Sequence, residues 1–119
     1  MVNLECLGVT STKVWTSHSE DILVRMLVAM AHSMNLPIAG INVERVGTTD
    51  SESFAKYQIP RITIHSLTQE TWPLLHSDKD NIKAIKPDLY YDSYRLIVPY
   101  LALLDQQLPT DGFPIDKRK

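Results

Sequence analysis

Strand-like and helix-like segments alternate along this chain of 119 residues, and the alternation restricts its fold more than any other feature. Four short runs rich in apolar and β-branched residues predict strands. They cover residues 2–7, 13–16, 41–46 and 61–64. With the predicted helices placed between them, the order is β-β-α-β-α-β-loop-α. That order predicts an α/β fold in which helices pack on a sheet.

The first predicted helix has a capping-box pattern at its start, with Ser17 followed three residues later by Glu20. Its apolar residues recur at helical spacing, so one stripe of this helix is expected to pack on the core. The stripe consists of Ile22, Leu23, Met26, Leu27, Met30 and Met34. A shorter helix is predicted over residues 50–57, where the side chain of Thr49 or Asp50 can cap the first turn.

The last predicted helix opens at Pro87, a residue favoured in the first turn. Pro99 predicts a kink or a break inside it, because proline removes one backbone hydrogen bond. Residues 66–86 have no clear periodicity and predict a long loop of the kind that is often functional. The apolar face of the last helix is predicted to be Tyr90, Tyr94, Ile97, Val98, Leu101 and Leu104.

Composition excludes several classes of protein. The net charge of −2 and the pI of about 6.0 do not fit a nucleic-acid-binding surface. No run approaches 18 apolar residues, so no membrane span is expected, and the first residues do not resemble a signal peptide. The single cysteine, Cys6, excludes an intramolecular disulfide and leaves the compartment undetermined. We expect one domain over residues 1–108 and a flexible tail over residues 109–119.

One histidine of the long loop is a candidate metal ligand. His76 is followed by Asp78 and Asp80, and the loop comes after a strand that is expected to be buried. Imidazole and carboxylate groups are common metal ligands at such positions in α/β enzymes. The alternative is a loop histidine whose hydrogen bonds are satisfied by its neighbours.

Several motifs occur in an order that matches a known family. They are Asn3-Leu4-Glu5-Cys6-Leu7-Gly8, Thr49-Asp50 with Phe54, Ile59-Pro60, and His76 with Asp80 four residues later. In this order and spacing they resemble motifs of the zinc-dependent aminopeptidases of the M28 family. The resemblance extends over about residues 2–108 and includes the last helix.

This resemblance implies a site with two zinc ions and a peptide substrate. By resemblance, His76 and Glu5 are the metal ligands, although the family has an aspartate where Glu5 stands. Asp50, Phe54 and Asp80 would support the site from the substrate side or from behind the ligands. The implied architecture is part of a three-layer α/β/α zinc-peptidase-like sheet. Members of the family are often secreted.

The family motif also requires a His-x-Asp pair and a Glu-Glu pair before the strand that holds Glu5. In this chain that strand begins near residue 3, so neither pair precedes it. The sequence therefore predicts the C-terminal part of a zinc metallopeptidase domain that is inactive alone, since further ligands and a general base are required. Its expected partners are a complementary N-terminal half and, in the complete enzyme, a peptide.

A second interpretation belongs to a different class of protein. The chain could be a non-catalytic interaction or regulatory module that uses the same α/β scaffold, with a homo-oligomer as one outcome. Its expected mark is an exposed apolar sheet edge or face, because such surfaces drive association.

Overall fold

The computed structural model describes residues 1–42 and 48–107. The strands are β1 (Val2–Glu5), β2 (Lys13–Val14), β3 (Ala39–Gly40) and β4 (Ile62–His65). The helices are α1 (Asp21–Ser33), α2 (Glu52–Ala55) and α3 (Pro87–Gln107), with 3-10 turns at Thr16–His18, Trp72–Leu74 and Ile82–Ala84. The predicted order of elements and the α/β class are confirmed.

Two predictions fall wholly or partly outside the described residues. Most of the strand predicted over residues 41–46 lies there, and the short strand β3 comes just before it instead. The predicted tail over residues 109–119, together with the domain boundary at residue 108, also lies outside the described part of the chain.

The four strands form one mixed sheet in the order β1-β4-β2-β3. β1 runs parallel to β4, with Val2 opposite Ile62 and Glu5 opposite His65. β2 runs antiparallel to β4 and parallel to β3. All four residues of β4 are buried, whereas β1 lies at an edge of the sheet that the described residues form.

The core lies on one face of the sheet, because alternate residues of a strand point to opposite faces. Ile62 and Ile64 of β4 pack there with the buried sides of α1 and α3. Thr63 points to the other face, where it bonds to residues just before α2. Helical segments therefore lie on both sides of the sheet, as expected for part of an α/β/α arrangement. Among the described residues, no helix is long and apolar enough to cross a membrane.

The start of α1 differs from the prediction. The helix begins at Asp21, while Ser17 lies in the preceding 3-10 turn, and the N-cap residue Glu20 makes no capping bond through its side chain. The backbone before α1 is bound to the sheet region instead: the N–H of Glu20 donates to the carbonyl of Arg61 at 2.8 Å, and the N–H of Thr63 donates to Ser19 Oγ at 3.0 Å. These bonds hold residues 19 and 20 in extended conformations that a helix cannot contain.

The buried face of α3 also differs from the prediction. Its buried residues are Ser93, Leu96, Ile97, Tyr100 and Leu104. Of the predicted apolar face, only Ile97 and Leu104 are among them, whereas Tyr90, Tyr94, Val98 and Leu101 are exposed. A buried hydroxyl pair accounts for part of this difference between the predicted and the observed buried face, because Ser93 Oγ lies 2.8 Å from Thr12 Oγ1.

Pro99 does not break α3, which is continuous from Pro87 to Gln107, so that part of the prediction is wrong. Buried residues lie on both sides of the proline, Leu96 and Ile97 before it and Tyr100 and Leu104 after it. Their shared packing against the core stabilises both halves of the helix despite the missing hydrogen bond.

Gly8 follows β1 in the sequence and packs against the start of α3, and it provides a first test of the fold. Its φ is +89°, and a Cβ atom there would lie 2.9 Å from Ile85 Cγ2 and 3.0 Å from Tyr90 Cβ. We expect Gly8→Ala to lower the free energy of unfolding by about 1–3 kcal/mol, because it adds both backbone strain and a clash. Urea unfolding measures the loss. Gly40→Ala is the matched control and should cost less, and equal costs would contradict the close approach at Gly8.

Candidate functional site

Glu5 occupies a position where α/β sheets commonly bind ligands. It is the last residue of β1, at the carboxyl end of the parallel pair that β1 forms with β4. Ligands of open α/β sheets lie beyond the carboxyl ends of their strands. The residue is half-buried.

A short hydrogen-bond network fixes the orientation of the Glu5 carboxylate. Its Oε1 accepts a bond from Asn3 Nδ2 at 2.6 Å and one from the backbone N–H of Asp50 at 3.3 Å. Asn3 is only 8% exposed and also donates to Thr49 Oγ1 at 3.0 Å. Hydrogen bonds to a carboxylate restrict its rotamers. Glu5 is therefore presented in a defined direction by residues far apart in the sequence.

Three buried hydroxyl groups, those of Thr49, Ser51 and Thr63, hold this network in place. Thr63 Oγ1 donates to Ser51 Oγ at 3.0 Å, Thr49 Oγ1 donates to the same oxygen at 2.8 Å, and Thr49 and Thr63 lie 3.2 Å apart. Together they tie the segment before α2 to β4. No sequence pattern predicted this cluster, although a threonine between Ile62 and Ile64 and the polar run before α2 were signals for it.

Asp50 contributes through its backbone rather than through its carboxylate. The side chain is exposed, and the N-cap of α2 is Ser51, which makes no side-chain capping bond. Of the two residues predicted to cap this helix, Thr49 accepts the backbone N–H of Ser51 on its Oγ1 at 3.0 Å and so caps the turn that leads into α2, whereas the Asp50 side chain does not. The Thr49 hydroxyl is engaged in the buried cluster, and its carbonyl accepts the N–H of Glu52 at 3.0 Å.

Phe54 lies on α2 with 37% of its surface exposed. That exposure is higher than expected for a core aromatic side chain. Its assignment to a pocket wall remains a prediction.

His76 and Asp80 lie on one exposed turn between two 3-10 turns. His76 has a positive φ of 59°, and its backbone N–H donates to Asp80 Oδ2 at 3.4 Å. Asp80 thus contacts the backbone of the turn on which His76 sits. The role of His76 as a metal ligand and the role of Asp80 behind it remain predictions.

The turn with Asp80 faces the end of β1 across a small cavity. The cavity has a volume of about 300 Å³, and Cys6, Leu7, Leu75, Asp80 and Ile82 are among the residues that line it. Burial raises the pKa of the Cys6 thiol, and the nearby Glu5 and Asp80 carboxylates raise it further. Cys6 is therefore a neutral thiol at neutral pH, placed between the two candidate regions.

The donor groups do not complete a metal site. Among residues 1–42 and 48–107, no three His, Cys, Asp or Glu side chains are grouped so that they could hold a metal ion. A catalytic zinc requires three protein ligands and an open position. His76, Ser77 and Asp78 have the His-x-Asp spacing, but they follow the strand of Glu5, whereas the family pair precedes it. Glu5 and His76 therefore do not fit a zinc ion without further ligands.

A charged cluster that the sequence analysis missed anchors α2. Glu52 Oε1 contacts His18 Nδ1 and, at 2.9 Å, Arg61 Nη1, which also donates to the carbonyl of Ser51. Burial raises the pKa of Glu52, but the hydrogen bonds and positive charges of His18 and Arg61 outweigh it, so that this pKa lies below its usual value. The cluster holds α2 against the turn that precedes α1.

Two solved structures of an aminopeptidase share this fold. Legionella pneumophila LapA aminopeptidase matches with a TM-score of 0.76 over 91% of this chain, at 17% sequence identity. A second LapA structure matches with a TM-score of 0.64 over 79% of the chain, at 16% identity. The chain has an aminopeptidase-like fold. No protein-family model and no curated protein matches it.

The match covers only part of LapA. This chain spans 31% of the first LapA chain and 26% of the second, so about a third or less of either structure is represented. The identities are low enough that the likeness shows the fold alone.

Proposed function

We propose that this chain is the C-terminal part of a zinc-dependent aminopeptidase domain of the M28 type, and that it does not hydrolyse peptides alone. The observation that carries the proposal is the LapA-like fold over 91% of the chain combined with its 31% coverage of LapA. The order of the sequence motifs supports the same proposal. Zinc would polarise the scissile carbonyl in the complete enzyme.

Within that proposal, Glu5 and His76 are two of the metal ligands. The bonds from Asn3 and Asp50 would keep the Glu5 carboxylate aimed beyond the end of β1. Asp80 would hold the turn that carries His76. The remaining ligands and the general base would come from residues that precede β1 in a longer chain, so this chain is assigned no catalytic step of its own.

The first experiment uses the purified 119-residue chain with added zinc and aminoacyl p-nitroanilides. We expect no turnover above the background of zinc in buffer, because the described donors do not complete a site. Turnover that is lost in both Glu5→Ala and His76→Ala would contradict the proposal that the chain is inactive alone.

The second experiment uses the chain extended by any in-frame coding sequence that precedes Met1 in the gene. We expect that sequence to encode a His-x-Asp and a Glu-Glu pair and the extended protein to be a peptidase. His76→Ala should then lower kcat/KM by about 10²-fold or more, since lost transition-state stabilisation of about 3 kcal/mol has that effect. His32→Ala, which removes an exposed histidine of α1, is the matched control. An extension without these pairs, or an inert one, would overturn the proposal.

A second candidate function is a non-catalytic interaction module. It is favoured by one observation, the exposed apolar residues on α3 and on the edge strand β1. Apolar surface beside an open sheet edge commonly takes part in association. The candidate predicts a chain that binds a partner or itself, without any peptidase activity in the extended protein.

A further inference from the structure

An apolar groove runs along the junction of α3 and β1. Its volume is about 220 Å³, and every residue that lines it is apolar or aromatic. Ile97 forms the buried floor. We call the remaining lining residues the docking surface: Leu4, Leu7, Tyr90, Tyr94, Val98 and Leu101.

The docking surface is exposed although its residues are the kind that folding usually buries. Tyr94 is 56% exposed, Val98 48% and Leu101 41%. On α3, Tyr90, Tyr94, Val98 and Leu101 follow one another at intervals of four, four and three residues, so they form one stripe. The twelve residues from Tyr90 to Leu101 extend about 18 Å, which is the length that a second helix of three to four turns covers. The stripe thus has the dimensions of a helix-packing face.

The docking surface is continuous with an open sheet edge. In the order β1-β4-β2-β3, β1 pairs with β4 on one side and with no described strand on the other. Leu4, at the middle of β1, is 44% exposed and belongs to the groove. An unpaired edge with an apolar side chain beside it is a template for another strand. An occupant that has both a strand and a helix would cover the two features together.

We propose that this surface receives a strand–helix unit that precedes β1 in a longer peptidase chain, an inference that rests on the proposed function. Its strand would pair with the free edge of β1 and its amphipathic helix would pack on the stripe of α3. Two-thirds of the LapA structure lies outside the match, which leaves ample chain for such a unit.

The direction of Leu4 supports the same placement. Leu4 lies opposite Ile64 in the register between β1 and β4, so its side chain is on the face of the sheet that carries the core. A helix that packs on this face at the β1 edge lies beside α3, where the docking surface is.

The test separates the protein into two pieces, the 119-residue chain and the polypeptide encoded in frame before it, and measures their association by calorimetry. We expect the pieces to bind, and we expect Tyr94→Glu with Leu101→Glu to weaken binding at least about tenfold, equivalent to about 1.4 kcal/mol. Ile22→Glu is the matched control, since Ile22 is 53% exposed on α1 and does not line the groove. It should leave binding unchanged.

Hydrogen exchange on the same samples gives an independent measure. In the complex, the amides of β1 should exchange more slowly than in the chain alone, and binding of a hydrophobic dye should disappear. Equal binding of the control and the double variant would overturn the proposal. So would a symmetric dimer of the 119-residue chain that Tyr94→Glu dissociates, which would identify a second copy as the occupant, and so would the absence of any coding sequence before Met1.

Failure of this inference and failure of the proposed function give different results. If the pieces associate through the docking surface but the complex does not hydrolyse aminoacyl p-nitroanilides, the proposed function is wrong and the docking stands. If the complex is an active peptidase while the double variant binds normally, the function stands and the unit packs elsewhere.

Discussion

Tyr100→Ala is expected to lower the free energy of unfolding by about 3–5 kcal/mol, the cost of removing a large aromatic side chain from a core. Tyr100 has no exposed surface and packs in the core cluster of α1, α3 and the sheet. Its hydroxyl donates to the carbonyl of Leu23 at 2.9 Å, which joins α3 to α1. Since whole domains have stabilities of about 5–15 kcal/mol, the loss is a large share of the total. Urea unfolding followed by circular dichroism measures it.

Two further variants separate packing from the hydrogen bond. Tyr100→Phe keeps the ring and removes only the hydroxyl, so about 1–2 kcal/mol should be lost, because the Leu23 carbonyl is left without that donor. Tyr91→Ala removes a tyrosine of the same helix that is 58% exposed and should have a small effect. If Tyr100→Ala proves no more destabilising than Tyr91→Ala, the assignment of the α3 core face is incorrect.

Local patterns predicted the elements that depend on local interactions. The strand at β4, the start of α3 at Pro87 and the order of elements follow from short-range signals that no distant contact contradicts. The start of α1 could not be predicted in this way. Its capping-box pattern was overridden because bonds to Arg61 and Thr63, more than 40 residues away, hold the preceding backbone extended.

The orientation of α3 shows a second limit of periodicity. The stripe of Tyr90, Tyr94, Val98 and Leu101 is at least as apolar as the face that is buried, so spacing alone favoured it. The buried face includes Ser93, whose hydroxyl is satisfied by Thr12 at a distance of 81 residues. Periodicity identifies faces that need burial but not which part of a protein buries them. If the docking inference is correct, both faces of α3 are core faces in the longer chain.

The candidate site was predictable only in part for a related reason. The family resemblance singled out Glu5, but the network that orients it combines Asn3, Thr49 and the backbone of Asp50. Every residue except proline has a backbone N–H, so the sequence does not indicate which N–H will donate to Glu5. Asp50 was therefore singled out for a side chain that the structure leaves exposed.

His65 has a fixed tautomer because both of its ring nitrogens are engaged. The N–H of Leu67 donates to Nδ1 at 3.1 Å, so Nδ1 is the acceptor and the proton lies on Nε2, which donates to the carbonyl of Ile41 at 2.9 Å. Burial has the largest effect on the pKa of His65 and lowers it. The bond to Ile41 and the charge of Glu5 raise this pKa, whereas the charge of Lys13 lowers it, and the net shift is downward. Protonation of Nδ1 would also remove the acceptor of the Leu67 N–H.

The pH dependence of stability should therefore contain a contribution from His65. The unfolded chain takes up a proton near pH 6.5 and the folded chain only at a lower pH, so the unfolded state binds more protons between these values. The contribution of His65 to stability is complete above about pH 6.5 and falls as the pH decreases toward the folded pKa.

His65→Asn should abolish this slope and lower stability at pH 7.5 by about 1–3 kcal/mol, because buried hydrogen-bonding groups lose a partner. The exposed His32, changed to Asn, is the matched control and should retain the slope in urea unfolding between pH 5 and 7.5. An unchanged slope in His65→Asn would show that His65 is not the buried neutral group described here.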